Sequence, residues 1–368
     1  MVTTPQPALP APLLRPVARW LVVCAAMIFA MVILGGATRL THSGLSMVEW
    51  KPLHLLPPMT DADWQVEFQN YRQYPEFIKT NAWMTLDDFK GIFWLEYTHR
   101  LWGRLIGVVF FVPFIWFVIQ RRIDRRLAAK LAVVFVLGGL QGALGWFMVA
   151  SGLVDRPGVS QYRLAAHLIT AFILYGAIVW LALDLFRATS APRPFNADRK
   201  MWRRAASVAL TVLVVAISGA LVAGLHAGLI YNTFPLMDGQ VIPKGLMDQQ
   251  PWYLNFFENI MTVQFDHRIL AIALVAKIIG MWVRSRHADL WPRARLLTNA
   301  VTGWSLVQAA LGISTLLLVV PEPLALAHQT SALVLFTLAI CLAHELRPHF
   351  VSDQAASTNA ALRLEAAE

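Results

Sequence analysis

Six histidines recur at matched places along this 368-residue chain. "GGATRLTHSGL" (35–45) aligns with "GALVAGLHAGL" (219–229) and pairs His42 with His226. "EYTHRLWGRLIG" (96–107) aligns with "QFDHRILAIALV" (264–275) and pairs His99 with His267. "LAAHLITAFILYG" (164–176) meets "LALAHQTSALVLF" (324–336) when His167 is set on His328, and "GLQGALG" (139–145) matches "LVQAALG" (306–312). A neutral imidazole is a good iron ligand, and two on facing helices make a bis-histidine haem site. Zinc fits less well, because two ligands per half with no nearby Cys or Asp make a poor tetrahedral site. An interfacial histidine bonded to a backbone carbonyl is the plain alternative for any single one; a duplicated pair at one depth argues against it. His54, His287, His344 and His349 have no counterpart in the repeat and read as loop or membrane-edge residues.

The copies differ at one informative place. Glu96 stands three residues before His99, whereas Gln264 stands three before His267. On a helix, residues three apart share a face, so Glu96 would point towards whatever His99 holds. A carboxylate there can act as a base or stabilise positive charge; the structural alternative is a helix-start carboxylate favoured by the dipole. Arg100 and Arg268 follow the two histidines and are candidate partners for haem propionates, or cations snorkelling to the headgroups.

The elements that must position these residues are apolar. Hydrophobic residues make up 57% of the chain and charged residues 14%, and the mean hydropathy is +0.54. Soluble domains carry about a quarter charged residues, so a polytopic membrane protein is implied. The formal net charge of +9 does not point to nucleic acid, because the basic residues cluster in short loops between apolar runs. Eight spans are expected, near 17–38, 99–120, 128–150, 164–186, 205–226, 266–284, 296–320 and 324–344. The basic loops "RRIDRRLAAK", "RATSAPRPFNADRKMWRR" and "RSRHADLWPRAR" belong on the cytoplasmic side. Both termini are then cytoplasmic, and the repeated histidines lie towards the outer face.

Each half has an even number of spans, so both copies share one orientation and a pseudo-twofold axis runs along the membrane normal. The expected organisation is all-α: two tandem four-helix bundles, 17–186 (with a long outer loop, 39–98) and 205–345. A linker, 187–204, joins them, and 1–16 and 346–368 are cytoplasmic end segments. In the outer loop, Thr60 is a plausible N-cap before Trp64, Phe68 and Tyr71 at helical spacing. Cys24 and Cys341 lie inside apolar runs and read as core residues. The N-terminus lacks the look of a transit peptide or a cleaved signal, and a bacterial inner membrane is the expected home.

As an ordered set, "GGATRLTHSGLSMVEWKP", "EYTHRLWGRLIG", "FDHRILA" and "AHQTSAL" resemble the heme A synthase family, particularly its alphaproteobacterial and mitochondrial branch; the likeness covers roughly 17–345. The resemblance implies oxidation of a haem O methyl to a formyl group, giving haem A for haem-copper oxidases. The usual proposal is two hydroxylations and loss of water from a gem-diol. It implies haem O between His99 and His167, a permanent haem b between His267 and His328, and a catalytic Glu96. It also suggests the haem O-forming farnesyltransferase, oxidase assembly factors, an unidentified electron acceptor, membrane lipid and self-association as partners. Some bacterial relatives carry a cysteine pair in outer loops; here no cysteine lies there. A dihaem cytochrome b electron carrier would explain four histidines but not the Glu/Gln difference. A parallel-repeat transporter would leave the matched histidine depths unexplained. His42 and His226 are left unassigned.

Overall fold

A computed structural model describes residues 11–49, 56–154, 158–189 and 198–348. Among them every regular element is helical, apart from one isolated bridge between Met237 and Gln240. The α-helices are α1 (Ala11–Leu40), α2 (Asp61–Tyr71), α3 (Leu86–Ile119), α4 (Arg125–Ala150), α5 (Gln161–Ala188), α6 (Arg199–Gly224), α7 (Asn255–Glu258), α8 (Ile260–Ser285), α9 (Pro292–Leu317) and α10 (Glu322–Glu345).

Seven of them (α1, α3, α4, α5, α6, α9 and α10) are long and apolar enough to cross a membrane, and the chain is a multi-pass membrane protein. The expectation of eight such spans is not met by α8. At 26 residues it is long enough, roughly 39 Å, but Asp266, Arg268, Lys277 and Arg284 dilute its apolar character.

Helix starts are set by side-chain caps. Thr60 and Thr85 form capping boxes with Asp63 and Asp88; Asp124, Asp198 and Asn259 cap α4, α6 and α8. The reading of Thr60 therefore agrees with the structure. The region 39–98 is less of a loop than expected, because α3 begins at Leu86. With α3 and α4 adjacent, α1 packs on α3 and α5, and α5 on α4; α6 packs on α8 and α10, and α9 on α8 and α10. Contacts of α5 with α6, α1 with α10 and α5 with α10 join the two sets. One apolar core runs through them, including Leu21, Phe172, Ile178, Met201, Ile278 and Leu333.

A second, aromatic core lies outside the main bundle, where α2 docks on the first turns of α3. Trp64, Phe68 and Tyr71 of α2 bury against Phe77, Phe89, Phe93 and Tyr97. Inside this cap the Tyr71 hydroxyl donates to Glu76 Oε2 at 3.1 Å and accepts from Asn81 Nδ2 at 2.8 Å. Glu76 is 3% exposed, and burial pushes its carboxyl up to about 7. The folded cap thus holds the Glu76 proton more tightly than the open chain does. The cap is firmest below the ordinary carboxylate range and weakens as pH rises towards 7, by an upper bound of about 3 kcal/mol. Glu76→Gln removes that penalty. Amide exchange across Asp61–Asn81 should slow in the variant at pH 8.5 after correction for the intrinsic rate, and match the parent at pH 5.5. Equal protection at both pH values would remove Glu76 as the cause.

Candidate functional site

Each of the four paired histidines lies against a glycine of a neighbouring helix. His99 on α3 faces Gly35 of α1, where an added β-carbon would stand 3.3 Å from Nε2. His167 on α5 faces Gly145 of α4, His267 on α8 faces Gly219 of α6, and His328 on α10 faces Gly312 of α9. The corresponding distances to the imidazole Cε1 are 2.9, 3.1 and 2.8 Å. Real β-carbons essentially never approach closer than 3.0 Å, so Gly145 and Gly312 are what admit their rings, while a β-carbon at Gly35 or Gly219 would make a tight contact. His99 lies within electrostatic reach of His167, and His267 of His328. Among the described residues no cluster of three or more His, Cys, Asp or Glu could hold a metal.

Three of the four rings are held by the Nδ1 edge. The amide nitrogen of Gln141 lies 3.1 Å from His167 Nδ1 and 2.7 Å from the His167 carbonyl oxygen. Thr170 Oγ1 donates to Gln141 Oε1 at 2.5 Å. Gln308 stands in the same relation to His328, at 3.2 Å from both Nδ1 and the carbonyl oxygen. Ser218 Oγ lies 2.8 Å from His267 Nδ1. Its own proton goes to the Val215 carbonyl at 2.8 Å, so it accepts from Nδ1–H and leaves the Nε2 lone pair outward. The position matching Ser218 in the first half is Leu34, and among the described residues His99 has no hydrogen bond at Nδ1.

The Glu96/Gln264 exchange changes what the following loop is bonded to. Glu96 is 2% exposed and lies in the third turn of α3, so it is not a helix-start carboxylate. Its Oε2 accepts from Ser46 Oγ at 2.7 Å and Met47 N–H at 2.8 Å. Its Oε1 accepts from Arg100 Nε at 3.0 Å and Nη2 at 2.5 Å. Four donors on one group are the set a carboxylate accepts. Gln264 donates instead, to the carbonyls of Ala227 at 2.7 Å and Ile230 at 2.5 Å, while its Oε1 accepts from Arg268 at 2.8 Å. The arginines match: Arg100 Nη2 donates to the Met47 carbonyl at 2.7 Å, and Arg268 Nη2 to that of Tyr231 at 2.6 Å. Each guanidinium is thus already bonded to the loop beside its site; Arg268 Nε is buried without a hydrogen-bond partner among the described residues.

His42 and His226 approach one another, with ring centroids 6.2 Å apart and planes 16° from parallel. Both have φ of 52°, and each donates its N–H to a carbonyl three residues back, so the two chain turns repeat in detail. Arg39 also crosses between the halves, bonding the Ala223 carbonyl. His344 departs from its reading as a membrane-edge residue: it is buried at 2% exposure, its Nε2 2.9 Å from Asp184 Oδ1. His54 and His349 lie outside the described residues. Sequence reasoning aligns Gln141 with Gln308 and Gly145 with Gly312 but gives them no role; only the packing shows that they hold and admit the imidazoles.

Comparison with known proteins gives one consistent answer. A family profile described as "Cytochrome oxidase assembly protein" matches residues 18–340. A Nitrosospira multiformis protein named "Heme A synthase" is 51% identical over 334 residues, 90% of this chain and 94% of that protein. One of the same name from Paramagnetospirillum magneticum is 51% identical over 346 residues, with the same coverage. "Heme A synthase COX15" of Arabidopsis thaliana is 45% identical over 342 residues, 89% of this chain and 74% of the plant protein.

Proposed function

The chain belongs to the cytochrome oxidase assembly protein family, and from that premise we propose that it divides one reaction between two unlike haem sites. The activity is that of a heme A synthase, an oxidoreductase that converts haem O to haem A. His99 and His167 bind haem O as substrate, and His267 and His328 hold a resident haem b. The glycine-backed imidazoles fit both groups, since a β-carbon at any of the four glycines would crowd the ring that must face iron. Haem b, when bound, supplies a one-electron relay. Glu96, one turn from His99, stabilises positive charge developing at the methyl carbon under oxidation. Arg100 fixes Glu96 and the Met47 carbonyl together, and Arg268 offers its spare Nε as a propionate donor.

The observation that carries this division is the Glu96/Gln264 exchange within otherwise matching surroundings. The matched packing of α1, α3, α4 and α5 with α6, α8, α9 and α10 supports two tandem four-helix bundles about a pseudo-twofold axis, with α8 as the eighth span. Basic residues around 121–130, 199–204 and 284–295 support a cytoplasmic side for those ends and for both termini, in a bacterial inner membrane with the haem sites towards the periplasm. The test is pigment analysis of protein purified from cells that make haem O. Haem b together with haem O or haem A is expected. Two haems b per chain, inert to added haem O, would instead make it a dihaem electron carrier; no haem would overturn the bis-histidine assignment.

The unequal grip on the imidazoles suits the two roles. A resident haem benefits from the locked His267, and a substrate that must leave as product benefits from His99 free of an Nδ1 bond. Ser218→Ala should therefore speed loss of haem b to an apomyoglobin trap by about ten-fold without altering release from the first half. An unchanged rate would show that Ser218 does not set retention.

A further inference from the structure

At the end of the molecule opposite the four histidines, a groove of about 360 Å³ opens between α6 and α8. Arg203, Arg204, Lys277 and Arg284 line it, no acidic side chain does, and its remaining wall is small or apolar, including Val208 and Gly280. Lys277 sits two turns inside α8; its ammonium reaches out to the Ser207 carbonyl at 3.1 Å and Thr211 Oγ1 at 2.6 Å. Arg284 Nη1 is turned back onto the Gly280 carbonyl at 3.0 Å.

The corresponding crevice of the first half is closed. By the register that pairs His99 with His267, Lys277 stands where Val109 does and Arg284 where Trp116 does; by the register that pairs His42 with His226, Arg204 stands where Trp20 does. Trp20 is buried, donates its indole N–H to the Val109 carbonyl at 2.8 Å, and packs on Phe110 and Phe117 at 4.9 and 5.5 Å. One copy thus fills the crevice with an indole, and the other leaves it open and lines it with cations. Such a concentration of charge beside a membrane, with no acidic side chain in the groove's lining, calls for an anion.

We infer that this groove binds the phosphate headgroup of an anionic phospholipid. The four cations meet the phosphate, and the acyl chains run along the apolar strip continuous with the groove, where Leu210, Val214, Ile272 and Ile279 are exposed. That strip favours a lipid over a soluble phosphate, which has nothing to place there. The site is separate from the haem chemistry and stands whether or not the two-site assignment holds.

Native mass spectrometry of the full chain, titrated with phosphatidylglycerol or phosphatidylcholine, tests it. One phosphatidylglycerol per chain is expected to bind at least about ten-fold more tightly than phosphatidylcholine. The double variant Arg203→Gln/Lys277→Gln should weaken it about thirty-fold. Arg125→Gln/Arg295→Gln, which removes the same charge from exposed positions outside the groove, should change it less than about two-fold. An unchanged haem spectrum and a single oligomeric peak identify a folded variant; if the double variant fails them, Arg284→Gln alone, expected to weaken binding about five-fold, carries the test. Equal binding of the two lipids, or equal loss from both double variants, overturns the site. Release of the lipid by millimolar inorganic phosphate would assign the groove to a soluble anion and overturn the lipid.

Discussion

Glu96→Gln is expected to stop haem A formation by at least about 100-fold while leaving both haem sites loaded. The second half shows that a glutamine is tolerated at this place on the helix: Gln264 donates to two loop carbonyls and accepts from Arg268. In the first half, Arg100 can still donate to the amide oxygen of the variant side chain, and the Ser46 hydroxyl can turn to accept from its amide nitrogen. The cost is one poorly matched contact at the Met47 N–H, about 1–3 kcal/mol, set against complete loss of the negative charge. Fold and haem content should therefore survive and the oxidation should not. Extraction and chromatography of the bound haems distinguish the cases. Haem O accumulating beside haem b gives Glu96 a chemical role. Haem O and haem A falling together would mean that Glu96 serves only to tie the 46–47 loop to α3. Normal haem A would remove it from the mechanism.

Sequence reasoning reaches the helical class, the ordered histidine pairs and the one substituted carboxylate because each leaves a mark in residue type. Apolar runs report spans, and duplicated histidines report a duplicated packing arrangement. It stops where the information lies in packing between distant segments. Nothing in the letters says that Gly35 meets His99 or that Gly312 meets His328, since a glycine in a membrane helix serves many ends. Ser218 reads as a small polar residue in an apolar run, and its bond to His267 depends on the rotation of α6 against α8. The charge-rich α8 reads as a span from its apolar stretch 266–284, although it is not among the seven helices apolar enough to cross a membrane. The early start of α3 escapes a search for spans because "TLDDFKGIFW" is too polar to extend one, even though Thr85 and Asp88 form a capping box there. His344 misleads for a related reason: it has no repeat partner, but Asp184 on α5 supplies a structural one.

The glycines give the other large effect, and they test the two sites separately. A β-carbon at Gly312 would lie 2.8 Å from His328 Cε1 and 3.3 Å from Nδ1. Valine there must drive the imidazole off Gln308 and out of line with His267. Backbone on one side and the packed α9–α10 contact on the other leave the ring nowhere close to go. Gly312→Val should therefore yield protein with haem O but without haem b, and without turnover. At Gly145 the β-carbon would stand 2.9 Å from His167 Cε1, and Gly145→Val should do the converse, keeping haem b and losing haem O and haem A. Gly139, on the same helix as Gly145, has no atom within 4 Å of an added β-carbon. Gly139→Val consequently controls for the burden of a branched residue in α4 and should keep both pigments. Extraction and chromatographic separation of the haems from the three variants reads the outcome. If Gly145→Val and Gly312→Val lose the same pigment, the halves do not hold different haems, and the division of labour between them fails even if the fold and the family stand.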